Sequence, residues 1–149
     1  MREQFNAQLK DAMKAGDKRR VSTIRMITAA LKDRDIEARG SGKTVTNDDI
    51  LSLLQKMVKS RQESAEIYEK AGRTDLSTQE REEIAIITEF LPKQMGEDDV
   101  KAAISAAIAE TGAAGMKDMG KVIAALKAKY TGQMDFARVS AAVKGMLNG

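Results

Sequence analysis

The sequence predicts an all-α protein, and three observations carry that prediction. A single proline in 149 residues leaves long helices uninterrupted. Ala, Lys, Glu, Gln, Met and Leu, all good helix formers, dominate the composition. Apolar residues recur at intervals of three and four, and no segment alternates with period two for long enough to form a strand. The expected architecture is an N-terminal helical bundle of about four helices, residues 1–92, and a small C-terminal three-helix subdomain, residues 93–149.

Each element has its own signals. The first helix fits Arg2 to Ala15, with Phe5, Leu9, Ala12 and Met13 on the apolar stripe and Gly16 as the stop. Asp17 caps a second helix that runs to about Arg39 on Ile24, Ile27, Leu31 and Ala38, and Gly40-Ser41-Gly42 ends it. Thr46 caps the third, and Asp48 and Asp49 in its first turn suit the positive end of the helix dipole. Its stripe is Ile50, Leu54, Met57, Val58, Ala65 and Tyr68, and Gly72 stops it. Ser77-Thr78-Gln79-Glu80 has the S-x-x-E form of a capping box and is expected to open the fourth helix. There Ile84, Ile87, Phe90 and Leu91 point inward, and Pro92 closes it because the residue before a proline avoids the α region.

Three shorter helices follow. The first uses Val100, Ile104, Ala107 and Ile108 and stops at Gly112. The second uses Met119, Val122, Ile123, Leu126 and Tyr130 and stops near Gly132. Asp135 caps the third, on Phe136, Val139, Val143, Met146 and Leu147.

Composition narrows the chemistry. With no Cys and no His, thiolate nucleophiles, imidazole bases and Cys/His zinc sites are excluded, so no metal, cofactor or complete active site is expected. No apolar run approaches the ~20 residues of a membrane-spanning helix, and the N-terminus lacks the apolar stretch of a signal peptide. The expected location is the cytoplasm, with no membrane partner. Charge is unevenly spread. Residues 1–91 hold 17 Lys and Arg against 16 Asp and Glu. From Lys117 onward six cations, Lys117, Lys121, Lys127, Lys129, Arg138 and Lys144, face only Asp118 and Asp135. A basic segment suits a phosphate-bearing partner.

Other motifs carry less. Gly40-Ser41-Gly42-Lys43-Thr44 suggests a phosphate loop, but the first glycine of G-x-x-x-x-G-K-[ST] falls on Glu37, and a helix rather than a strand precedes it. The paired acids Asp48-Asp49, Glu82-Glu83 and Asp98-Asp99 read as first-turn partners of helix dipoles. Arg61 lies in line with an apolar stripe; it reads either as an anion or partner contact, or as a snorkelling side chain paired to a carboxylate. Lys117 and Lys121 are expected to share a helix face with Ala124 and Ala128, where another backbone can approach closely. No aromatic residue interleaves with these lysines, so recognition of backbone shape is favoured over base stacking.

Three ordered motifs resemble the GatB/YqeY family. They are Lys59-Ser60-Arg61-Gln62-Glu63-Ser64 with Tyr68 through Leu76, Glu89-Phe90-Leu91-Pro92-Lys93-Gln94-Met95, and Lys117-Asp118-Met119-Gly120-Lys121-Val122. Gly96 and Gly115 depart from the family pattern, standing where a Ser-type cap is expected. The resemblance implies two helical subdomains, like the tail of the GatB subunit of glutamine-dependent tRNA amidotransferases. That enzyme is a carbon–nitrogen ligase with glutamine as amido donor, and its tail helps hold tRNA. The implied partners are tRNA and amidotransferase subunits or another protein. Arg61 and Arg73, within the first motif, become candidate partner or anion contacts. The alternative function is a helical protein-interaction module that does not bind RNA.

Overall fold

The computed structural model describes residues 1–148, and these contain seven α-helices and no strand. They fall into two compact units, one over Met1–Leu91 and one that begins at Pro92.

The first unit holds four helices: α1 (Arg2–Ala15), α2 (Lys18–Gly40), α3 (Asn47–Lys70) and α4 (Thr74–Thr88). Gly16 takes a left-handed conformation, φ 71°, which turns the chain so that the Asp17 N–H donates to the Ala12 carbonyl at 3.0 Å. Asp17 then caps α2, accepting the Arg20 N–H at 3.1 Å. Thr46 and Asp49 form a reciprocal capping box on α3: the Thr46 hydroxyl accepts the Asp49 N–H, and the Asp49 carboxylate accepts the Thr46 N–H at 2.9 Å. That hydrogen bond holds the Asp49 carboxyl below the usual carboxylate range. The core is Phe5, Ile24, Ile27, Leu31, Ile50, Leu53, Leu54 and Ile87, and α4 packs most extensively on α3. Phe90 meets Phe5 edge to face, with centroids 4.9 Å apart.

Three expectations are corrected here. The helix α4 begins at Thr74, so Ser77-Thr78-Gln79-Glu80 is not its cap. Gly72 at φ 73° lets the Arg73 N–H reach the Tyr68 carbonyl, and the chain re-enters a helix at once. Ser77 is then buried inside α4, where its hydroxyl donates to the Thr74 carbonyl. The same helix ends at Thr88, and Phe90 and Leu91 reach the core from a turn ahead of Pro92. Met13, expected on the apolar stripe, is 55% exposed, because Phe5, Leu9 and Ala12 already supply the face that α1 turns to the core.

The second unit holds α5 (Glu97–Thr111), a 3-10 turn (Met116–Asp118), α6 (Met119–Tyr130) and α7 (Phe136–Asn148). Gly96 and Gly115 sit at the N-cap positions of α5 and of the turn. The core is built from small and aliphatic side chains, among them Ala103, Ile104, Val122, Leu126, Val139 and Val143. The segment before α5 is strapped to the α6–α7 loop: the Met95 N–H donates to the Gln133 carbonyl at 3.0 Å and the Gln94 amide to the Gly132 carbonyl at 2.6 Å. That strap buries Met134, which has no helical period to reveal it. Met146, expected inward, is 40% exposed, because Val139 and Val143 already occupy the buried face of α7.

Fully buried Leu54 and exposed Met13 make a matched test of this core. Leu54→Ala is expected to cost about 2–5 kcal/mol in urea unfolding, through lost transfer energy and a residual cavity. Met13→Ala is expected to stay within about 0.5 kcal/mol of wild type.

Candidate functional site

The basic segment begins at a corner. Lys117 and Lys121 were expected on one helix, but α6 starts at Met119 and Lys117 belongs to the 3-10 turn before it. Asp118 makes the corner. Its carboxylate accepts the Ala114 N–H at 3.0 Å, pinning the loop that precedes the turn. That hydrogen bond, with the nearby charges of Lys121 and Lys117, holds the Asp118 carboxyl below its usual range. Lys121 lies 3.8 Å from the same carboxylate with its side chain 71% exposed. Ala124 and Ala128 are exposed on α6, as the spacing predicted.

The remaining cations are partnered to different degrees. Lys129 reaches Glu110 on α5 at 3.1 Å, and the Lys127 ammonium stands 5.8 Å from the centroid of the Phe136 ring. Arg138 sits 3.8 Å from Asp135, whose carboxylate also accepts the Ala137 N–H at 3.0 Å at the start of α7. Lys117 and Lys144 are exposed and make no ion pair among the described residues. Both acids of the segment are therefore engaged by backbone amides, and all six cations are exposed.

Arg61 is used internally. Its Nε donates to Glu83 at 3.0 Å, Nη1 to the Met57 carbonyl at 3.2 Å and Nη2 toward the Met26 sulfur at 3.4 Å. The side chains of Arg61 and Glu83 are 16% and 6% exposed. Gln79 donates to the other Glu83 oxygen at 3.2 Å, and Arg19 approaches it at 4.0 Å. The Glu82-Glu83 pair is thus not a first-turn feature, since α4 starts at Thr74. Burial, and then the charge of Glu83, push the nearby Glu80 carboxyl up, against the pull of Arg61. Arg73 makes a two-pronged pair with Asp75 at the surface, at 3.3 and 3.2 Å.

The Gly40–Thr44 loop borders a shallow depression of about 380 Å³ where Arg34, Lys43 and Lys56 face Glu37 and Asp49. Cations and carboxylates nearly balance there, unlike a phosphate cradle. Among the described residues no cluster of acids is arranged to hold a metal ion, and no helix is long and apolar enough to cross a membrane.

These features define a class: an all-helical protein of two small units, with a buried ion pair in the first and a basic surface on the second. The chain belongs to the YqeY-like protein family, whose pattern it matches over residues 2–147. It is 35% identical over 86 residues to an uncharacterized protein of Schizosaccharomyces pombe, covering 57% of this chain and 67% of that one. It is 36% identical over 83 residues to the mitochondrial protein "altered inheritance of mitochondria protein 41" of Lachancea thermotolerans, covering 56% of this chain and 43% of that one. The protein of the same name from Pyrenophora tritici-repentis is 31% identical over 107 residues, covering 70% of this chain and 57% of its own length. The chain thus spans about half the length of the mitochondrial relatives it matches.

Two measurements check the buried cluster. Glu83→Ala leaves the Arg61 guanidinium uncompensated and is expected to cost about 3–5 kcal/mol, whereas Arg61→Met with Glu83→Leu should cost much less than either single change. Glu80→Gln carries a pH signature. The Glu80 pKa is raised in the fold, so its carboxylate opposes folding once ionised, and protonation relieves that. The substitution should raise the melting temperature at pH 7, and the gain should vanish as pH falls below the ordinary Glu range.

Proposed function

We propose that this protein is a tRNA-binding accessory protein that holds RNA against the basic surface of its C-terminal unit, in association with an amidotransferase or a similar tRNA-modifying assembly. One observation carries the reading. Between Lys117 and Asn148 the only two acids are engaged by the Ala114 and Ala137 amides, while six cations face solvent. Such a surface gains affinity for phosphates by releasing their counterions. The aromatic side chains of this unit, Tyr130 and Phe136, are half-buried and pack on its core, which leaves no platform for stacking bases. The partner is therefore recognised by its backbone, as double-stranded RNA is, through phosphates and groove shape. Reaction chemistry belongs to the partner assembly, and the proposed location is the cytoplasm. The resemblance to the GatB tail supports the amidotransferase link.

The test is binding of tRNA at several salt concentrations. Wild type is expected to give a log–log slope of about −2 to −4, for about three to five phosphates engaged. Lys117→Glu with Lys121→Glu should weaken binding and flatten the slope while circular dichroism stays unchanged. Lys10→Glu with Lys14→Glu controls for net charge. Equal losses in the two double variants would mean a basic protein without a specific face. No salt-sensitive binding by wild type at micromolar concentration would leave the protein-interaction module as the better reading.

A further inference from the structure

The N-terminal unit is nearly neutral as a whole, which hides a strong asymmetry. The helix α2 alone carries seven basic residues against three acids. Arg19 and Arg20 turn toward acids of α4 and the turn after it, Glu82 at 3.1 Å and Glu89 at 2.6 Å. Four of the others behave differently. Lys18, Arg25, Lys32 and Arg39 are spaced at intervals of seven, all are exposed, and none makes an ion pair among the described residues.

Geometry makes a stripe of them. Seven residues advance about 10.5 Å along an α-helix, so the four cations span roughly 31 Å. Each step drifts by only about 20° around the axis, which keeps them on one side of the rod. The buried residues Thr23, Ile24, Ile27 and Leu31 lie on other faces of α2, turned to the core. Between the cations the stripe holds Ser22, Ala29 and Ile36, and no acid. Four acids lie nearby. Asp17 caps the helix start, Asp35 is gripped by both terminal Arg2 nitrogens at 2.8 and 2.7 Å while also feeling the Arg39 charge, and the exposed Asp33 and Glu37 stand beside the stripe, about 100° round from Lys32 and Ile36.

The chemistry of the stripe selects its partner. A straight row of evenly spaced cations complements a polyanion that repeats its charge along a line. No aromatic residue occurs on α2, so stacking on a single strand is not supplied. Ile36 is the only large apolar side chain on the stripe, too little to insert into a lipid surface or to make the apolar seam an acidic partner helix needs. We infer that α2 is a second polyanion-binding surface of this protein, lying along the phosphate backbone of a nucleic-acid duplex through Lys18, Arg25, Lys32 and Arg39. It rests on the RNA reading above and extends it to the N-terminal unit.

The experiment uses the full chain and an RNA hairpin whose stem is longer than α2, titrated at several salt concentrations. Lys18→Gln, Arg25→Gln, Lys32→Gln and Arg39→Gln are combined in one variant. The control neutralises four other exposed lysines of the same unit, Lys10→Gln, Lys14→Gln, Lys43→Gln and Lys56→Gln. The stripe variant should lose about tenfold or more in affinity at low salt, and its log–log slope should flatten by about 3 from a wild-type slope that, on this longer stem, is steeper than the C-terminal surface alone gives, while the control keeps most of both. If circular dichroism shows that the fourfold variant is misfolded, the halves Lys18→Gln/Arg25→Gln and Lys32→Gln/Arg39→Gln are measured instead, each expected to remove about half of the slope change. A DNA duplex of the same length separates RNA from duplex phosphate in general, and either duplex binding through the stripe supports the surface. Equal loss in stripe and control variants overturns it. So does equal or tighter binding of a single strand or of anionic vesicles through the same residues. Wild type that binds, weakened only by Lys117→Glu with Lys121→Glu, removes the stripe and leaves the C-terminal reading intact. Wild type that binds no duplex removes both.

Discussion

The first unit depends on one charge pair, Arg61 with Glu83. It sits where α3 crosses α4, the most extensive helix contact in that unit. A guanidinium at that depth is tolerated because every direction it faces is answered: a carboxylate at Nε, the Met57 carbonyl at Nη1 and the Met26 sulfur at Nη2. Glu83 in turn receives Gln79 and has Arg19 near by. Desolvation makes such a cluster expensive unless its geometry is complete, and completeness requires α2, α3 and α4 together at one register. Sliding α4 by one turn on α3 would leave the apolar contacts largely replaceable and the guanidinium unpaired. The completed cluster belongs to this one register of α2, α3 and α4, and the aliphatic core supplies the stability.

Helix existence was legible because the core follows strict periods. Ile24, Ile27 and Leu31 on α2, or Val139 and Val143 on α7, could be placed by spacing alone, and both are buried. What period cannot report is which positions near the edge of a stripe find a neighbour. Met13 and Met146 have the right spacing and face water, because the residues beside them already fill the contact. Capping signatures were misread where a turn supplied a stronger stop and start. Gly72 ends α3 and restarts the chain so abruptly that Ser77, a plausible cap by pattern, became an interior residue of α4. Met134 lies in a loop and is buried by a backbone strap, which leaves no periodic trace.

The charged residues were harder to read than the apolar ones. Arg61 looked like either a contact or a paired side chain, and its partner Glu83 was 22 residues away with no local signal to join them. The basic segment after Lys117 was visible as composition, but its geometry was not: Lys117 lies in a 3-10 turn ahead of α6, which carries Lys121, and Asp118 pins the loop before that turn. The stripe on α2 went unseen because a near-even count over the whole N-terminal unit averaged it away. Charge pattern becomes informative only after ion pairs have been subtracted, and which pairs form is set by tertiary contacts.

Once it is done, the molecule shows a consistent division. Acids serve the fold: Asp17, Asp49, Asp118 and Asp135 accept backbone amides, while Asp35, Glu82, Glu83 and Glu89 hold arginines. The cations left over face solvent on both units. A contact between one lysine and one phosphate is weak and screened by salt, so neither basic surface alone makes a durable complex. Two such surfaces on one chain act differently. On the proposed reading, engagement of a long polyanion by the first would hold the second at high effective concentration, so that the combined affinity would exceed what either supplies. On the reading proposed above, such binding would tolerate sequence variation in the RNA, because phosphates rather than base edges would carry it. It would also release steeply when salt or a competing polyanion displaces one surface.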